Sequence, residues 1–301
     1  MALFKKISDN NFREIRPDDP DKKGIKLFWE LFTRKFWNYI KLNLLYVLTS
    51  IVTFALYWCV LAMFVVPGFI ASFSSEVLEK MAVASDTTVE MFTGSVVFYF
   101  SCIGALLLIT FFGGGLCSAG YNYILRNYVR QENAYVFSDF FLQSKKNFKQ
   151  ALVVSLVDYI VVSIGLFSIS YYFGLMKNGG GALYIFSFAL LVFAFLLYVA
   201  MHTYIWTIMV TFKVSLTQLY KNSFMLTVGT AIRTVLYMIC TAAFTVATIM
   251  FFAYSPLFVA VLFLIIMIVL FNLAGHIFSY PVIKKYMIDN NNENIEGFDE
   301  Q

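Results

Sequence analysis

Long uncharged tracts alternate with short charged connections along this chain. Residues 42–75, 91–125, 178–212 and 234–283 contain no Asp, Glu, Lys or Arg, and residues 150–176 contain only Asp158. About 20 apolar residues of helix suffice to cross a bilayer, where every backbone N–H and C=O must find its partner within the protein. The pattern predicts six membrane-spanning helices, at residues 43–69, 95–112, 151–175, 183–212, 229–252 and 257–282. The tract 234–283 is too long for one span, and Ala253-Tyr254-Ser255-Pro256 supplies its turn. Pro67 falls near the end of the first span, and Gly113-Gly114-Gly115 closes the second.

Lys and Arg fall on alternate connections. The N-terminal segment carries ten, connection 113–149 five, connection 212–233 three and the tail two, whereas the intervening connections carry only Lys80 and Lys177. Cationic loops stay on the cytoplasmic side, so both termini are expected there. The loop 73–94, with Glu76, Glu79, Asp86 and Glu90, is expected outside.

A similar element precedes three of the spans. Glu30-Leu31-Phe32-Thr33-Arg34-Lys35-Phe36-Trp37 leads into the first, residues 139–148 into the third and residues 216–224 into the fifth. Aromatics at 28, 29, 32, 36 and 39 recur at helical spacing, and Lys26, Arg34, Lys35 and Lys41 are placed to reach lipid phosphates. Such helices lie in the headgroup layer and set the angle at which the chain enters the membrane. The expected fold is all-α: a polytopic membrane protein of six transmembrane helices in three hairpins, each introduced by an amphipathic interfacial elbow helix. The elements recur at unequal intervals of about 112 and 76 residues, which fits either an internal repeat or the shared chemistry of basic, aromatic insertion points. Residues 1–24 form a polar N-terminal segment, 25–285 the membrane domain and 286–301 an acidic tail.

Composition excludes an ordinary soluble domain: 13% of residues are charged and 60% hydrophobic, with a mean hydropathy of +0.75. The net charge of +4 averages two unlike faces. The first forty residues are polar and basic, so neither a cleavable signal peptide nor an acylation start is expected. Cys59, Cys102 and Cys240 lie within apolar tracts and Cys117 just past one, without a CxxC pair, which points to helix packing rather than disulfides or metal.

Asp158 is the one acid inside a span, and the only histidines, His202 and His276, lie in the fourth and sixth. A carboxylate and an imidazole at matched depth can relay protons or bind a cation; the alternative is a carboxyl group satisfied by a neighbouring Tyr, Ser or Thr, or protonated outright. Tyr123, Arg126 and Arg130 share one helical face and are placed to hold phosphate headgroups or an acidic partner surface. Gly113–Gly115 with Ser118, Ala119 and Gly120 permit close helix approach. No P-loop, HExxH, GxSxG or clustered metal-ligand motif occurs, so no enzyme, cofactor, metal site or nucleic-acid partner is expected.

The stretch Gly115-Leu116-Cys117-Ser118-Ala119-Gly120-Tyr121-Asn122-Tyr123-Ile124-Leu125-Arg126-Asn127-Tyr128 resembles the YesL-like family of bacterial membrane proteins. Phe137-Ser138-Asp139-Phe140-Phe141, Lys146-Asn147-Phe148-Lys149-Gln150, Tyr220-Lys221-Asn222-Ser223-Phe224 and residues 36–47 extend the resemblance over about residues 25–285. Leu116 departs from the family pattern, which carries proline there. The family has no established activity and no catalytic residues to transfer. Its members are typically encoded beside carbohydrate ABC importers and polysaccharide-degrading enzymes in Gram-positive bacteria. The resemblance implies an accessory protein of carbohydrate uptake in the bacterial cytoplasmic membrane, touching lipid and ABC transporter subunits. Arg126, Arg130, Lys145, Lys146, Asn147, Phe148 and Lys221 are the candidate contacts. Two further expectations stand beside it: an autonomous carrier or channel using Asp158 and His202, with His276 nearby, and a non-transporting scaffold.

Overall fold

The computed structural model describes residues 24–64, 101–102, 104, 114–177, 181–254 and 257–289. The predicted loop 73–94, Pro67, most of the second span, the start of the chain and the end of the tail lie outside these residues. Among the described residues the fold is helical, without strands. The helices are α1 (Ile25–Arg34), α2 (Phe36–Phe64), α3 (Ser118–Val129), α4 (Val136–Lys146), α5 (Phe148–Lys177), α6 (Ala182–Thr211), α7 (Leu216–Gly229), α8 (Ala231–Tyr254) and α9 (Leu257–Ile283). Among the described residues four segments are long and apolar enough to cross a membrane: Phe148–Leu175, Ala182–Thr211, Ala231–Thr248 and Ile266–Ile288. After Pro281, which cannot donate to the preceding turn, α9 widens into a π-helical turn over Lys284–Asp289.

The three elbow elements share a backbone construction that the sequence only hinted at. Each short helix is separated from the long helix after it by one residue: Lys35 between α1 and α2, Asn147 between α4 and α5, Thr230 between α7 and α8. Their φ/ψ values nearly coincide at −111/20, −103/10 and −121/34 degrees. In each case the break residue's N–H bonds back to the short helix, to Leu31 O at 3.0 Å, Gln143 O at 3.1 Å and Leu226 O at 2.9 Å. The break carbonyl opens the next helix, accepting Tyr39 N–H at Lys35 and Thr234 N–H at Thr230. One residue thus ends one helix and begins another, with its own N–H bonded at all three breaks and its carbonyl at two. Asn147 and Thr230 add side-chain bonds to the same carbonyls, of Gln143 and Leu226, a pattern that bends helices.

The least exposed face of each long helix also starts in the same register. Four, seven and eight residues past the break stand Tyr39, Leu42 and Asn43 in α2, Ala151, Val154 and Ser155 in α5, and Thr234, Tyr237 and Met238 in α8. The break, rather than the aromatic run, is the equivalent point of the three elements, and α7 continues to Gly229, past the predicted end at residue 224. Ser215 and Gln218 start α7 with a reciprocal capping box.

The chain divides into two compact units, one of residues Met1–Val47, Cys117–Asn147 and Ala200–Gln301, the other of Leu48–Leu116 and Phe148–Val199. In the first unit α3 is the central element: Tyr123 alone of its residues is not buried. A helix this enclosed needs small residues where neighbours approach. A Cβ on Gly120 would collide with the Phe140 carbonyl oxygen and the Ser144 hydroxyl, so α4 lies against bare backbone. The Ser144 hydroxyl donates to Cys117 O at 3.2 Å beside it. α3 ends in a Schellman turn, with Glu132 N–H on Asn127 O at 2.8 Å and Gln131 N–H on Tyr128 O at 3.1 Å. Gln131 takes the left-handed position of that turn, at φ 62°.

In the second unit Gly115, at φ +133°, donates its N–H to the Ser155 hydroxyl at 3.1 Å. Gly165 gives α5 close contact with the Phe195 ring of α6.

Gly120→Ala is expected to destabilise the chain by about 2 kcal/mol or more, because backbone rather than a mobile side chain blocks the methyl group. SDS-induced unfolding in mixed micelles, followed by circular dichroism, checks this: an unchanged midpoint would show that α3 and α4 are not in backbone contact.

Candidate functional site

Polar side chains on α3 converge on different neighbours, and Arg126 is the most demanding of them. It is 6% exposed, and its Nε and Nη2 donate to Asn127 Oδ1 at 3.1 and 2.6 Å. Its Nη1 donates to the carbonyl of Val210, in the last turn of α6. The last four carbonyls of a helix have no partner within it and form its negative pole, so this guanidinium caps α6. The Tyr123 ring lies 4.6 Å from the guanidinium carbon, a cation–π contact. The neighbouring carboxylate, Glu132, is held by Arg130 at 2.5 Å. Burial, with help from Arg130, lowers the Arg126 pKa, yet a guanidinium stays charged. Arg130 is exposed and lies beside the Tyr280 ring, at 5.8 Å.

His276 is buried on α9 and faces α3 and α6. The side-chain N–H of Asn122 donates to Ser118 O at 2.8 Å, which leaves Asn122 Oδ1 to accept from His276 Nε2 at 2.9 Å. His276 Nδ1 then accepts from the Thr207 hydroxyl at 3.1 Å, and Thr207 Oγ1 accepts from Ser279 at 2.8 Å. Tyr121 joins α3 to α2 in the same way, donating to Asn43 Oδ1 at 3.0 Å and stacking on Tyr46 at 4.4 Å.

Asp158 belongs to the second unit and is 1% exposed; its carboxylate accepts the Tyr198 hydroxyl of α6. His202 belongs to the first unit and accepts from the Trp206 indole N–H at 3.1 Å. The structure therefore gives Asp158, His202 and His276 separate named partners: Tyr198, Trp206, and the Asn122–Thr207 pair.

The elbow candidates divide by exposure. Lys145, Lys146 and Lys221 are exposed, Phe148 is 43% exposed, and half-buried Asn147 bonds Gln143 O. Lys35 departs from its expected headgroup role. It is 8% exposed, and its Nζ sits 3.9 Å from the centre of the Tyr128 ring. Burial, then the adjacent Arg34, lowers its pKa from 10.5 to about 8. Burial also raises the Tyr39 and Tyr128 hydroxyls well above their usual range. Their rings meet edge to face at 5.5 Å.

Sequence reasoning missed Asn122, Asn127, Tyr198 and Thr207, and gave Lys35 a headgroup role instead of its buried place on Tyr128. The signal for Asn122 and Asn127 was their spacing around Arg126 on one helix. Nothing local marked the burial of Lys35, since only the fold brings Tyr128 over it. No family model matches the chain, and no curated protein or solved structure matches it.

Arg126→Ala is expected to cost about 2–3 kcal/mol, because the Val210 carbonyl and Asn127 lose a charged donor together. Arg126→Lys should recover less than half of that, since an ammonium cannot span both acceptors. SDS unfolding midpoints of the three chains check the order.

The Lys35 shift gives a second expectation. Below pH 8 both folded and unfolded chains carry its proton, so the folded state bears the full cost of a buried charge. Between about 8 and 10.5 the folded chain releases that proton first, and stability from this group rises with pH. Lys35→Met should stabilise the chain at pH 7 by on the order of 2 kcal/mol, with the gain fading above pH 8. The difference between the two chains isolates the lysine, because Tyr39 and Tyr128 ionise in both. A gain that grows with pH would refute the assignment.

Proposed function

We propose that this chain is a YesL-like multi-pass protein of the bacterial cytoplasmic membrane, with six spans in three hairpins and both termini cytoplasmic. Its role is non-catalytic: it assists carbohydrate uptake by contacting an ABC importer from the inner face. The resemblance of residues 115–128 supplies the context. The supporting structural observation is that buried Arg126 and Asp158 are both engaged within the chain. Arg126 caps α6, and Asp158 takes the Tyr198 hydroxyl. Side chains engaged in this way favour a protein that acts through its surface. Arg130, at the exposed end of the family-like helix, and Phe148, at the start of α5, are the residues offered to a partner.

Affinity purification in mild detergent from native membranes should recover importer subunits, and Arg130→Ala with Phe148→Ala should reduce that recovery severalfold. Recovery free of any importer subunit would count against the proposal. Solute uptake by the purified protein alone in vesicles, abolished by Asp158→Asn, would replace it with a carrier.

A further inference from the structure

The three elbow helices carry an exposed aromatic ring at the same register. Six residues before the break stand Trp29 in α1, Phe141 in α4 and Phe224 in α7. They are 57%, 52% and 44% exposed, although each helix also buries a side chain completely, Leu31, Phe140 and Leu219. At about 1.5 Å per residue, each ring lies about 9 Å along the elbow from the break. In α5 and α8 the membrane-crossing segment begins with the residue directly after the break, at Phe148 and Ala231.

Charge follows the same pattern. Residues 25–41, 136–153 and 216–237 contain nine Lys and Arg and two acids. Both acids are engaged within their own helices, Glu30 with Arg34 at 3.4 Å and Asp139 with the Tyr135 N–H at 2.8 Å. Lys26, Lys41, Lys145, Lys146, Lys149 and Lys221 are all exposed.

We infer that the elbows form one threefold binding surface for the anionic phospholipid headgroups of the inner leaflet. A protein partner meets one side of a molecule and has no reason to find the same ring at the same distance from three separate membrane insertions. A bilayer meets all three at one depth. The exposed rings sit at the level of the ester and headgroup layer, where aromatics are most stable, and the lysines reach the phosphates above them. Each lysine near an anionic surface adds roughly 1 kcal/mol of attraction, so the six exposed lysines select anionic over zwitterionic lipid. This inference rests on reading the long helices as membrane spans and is independent of any importer.

The test is native mass spectrometry of the full chain purified in mild detergent, titrated with phosphatidylglycerol or with phosphatidylcholine of the same acyl chains. Wild type should retain several-fold more phosphatidylglycerol. The combined exposed-surface changes Lys145→Gln, Lys146→Gln and Lys221→Gln should weaken that preference severalfold and leave phosphatidylcholine retention unchanged. Trp29→Ala with Phe141→Ala and Phe224→Ala should lower retention of both lipids. Equal retention of the two lipids by wild type, or a preference undiminished by the lysine changes, would overturn the inference. Circular dichroism confirms helicity of each variant, and the lysine variant alone decides if the aromatic one does not fold. Because no importer is present, failure here leaves the uptake proposal untouched, and the reverse holds too.

Discussion

A guanidinium enclosed without a carboxylate of its own must be stabilised by dipoles, and in this chain that need organises the first unit. Arg126 meets it with the Val210 carbonyl and the Asn127 amide. A carbonyl at a helix end is a strong acceptor because no intrahelical donor competes for it. The pairing therefore fixes both the rotation of α3 and the height of α6 beside it. The rest of α3 follows one rule: Gly120 admits α4, Tyr121 bonds Asn43 of α2, and Asn122 bonds His276 of α9. Apolar helices in lipid gain little from burying more apolar surface, so close contacts at small residues and bonds between polar ones set their arrangement. One short helix supplies both kinds of contact to its four neighbours.

The elbows solve a different problem. A chain that turns from the headgroup layer into a bilayer must change direction where unsatisfied backbone is costly. Lys35, Asn147 and Thr230 each join a short helix to a long one in a single residue, at nearly the same dihedral angles. Their side chains differ because their surroundings differ. Asn147 and Thr230 bond the helix they terminate, and Tyr204 of α6 reaches Thr230 at 2.9 Å. Lys35 has no such acceptor and lies instead on an aromatic face. The shared geometry together with the shared register of buried positions favours an internal repeat over coincidence of composition, although the side chains have diverged.

Helix lengths and elbow positions were legible in the sequence because each depends on local periodicity. The absence of charge marked α5, α6, α8 and α9, and basic-aromatic runs marked α1, α4 and α7. Partner choice was not legible. Asp158 announced that it needed a donor, but Tyr198 becomes that donor only when α5 and α6 pack. α3 shows the limit most plainly. Its polar residues and its place after an uncharged tract read as a helix running toward the cytoplasm with Arg126 free for headgroups, yet all but one of its residues are buried. Hydropathy cannot separate a polar helix that faces water from one whose polar groups face other helices. Only the small residues Ser118, Ala119 and Gly120 carried the second meaning.

These two features meet at α4. Its outer face carries Phe137, Phe141 and Leu142, all more than half exposed, while its inner face lies on the bare backbone of Gly120. A contact made through side-chain tips can slide, but one made through backbone and a buried serine hydroxyl cannot shift without opening a void or forcing an overlap. Whatever holds the outer face of α4, lipid or protein, therefore acts on α3 directly. Through α3 it acts on the cap of α6 and on the Asn122–His276 bond. The surface elbow and the buried arginine thus form one mechanical element, in which the buried polar residues of α3 lie beneath the exposed aromatics of α4.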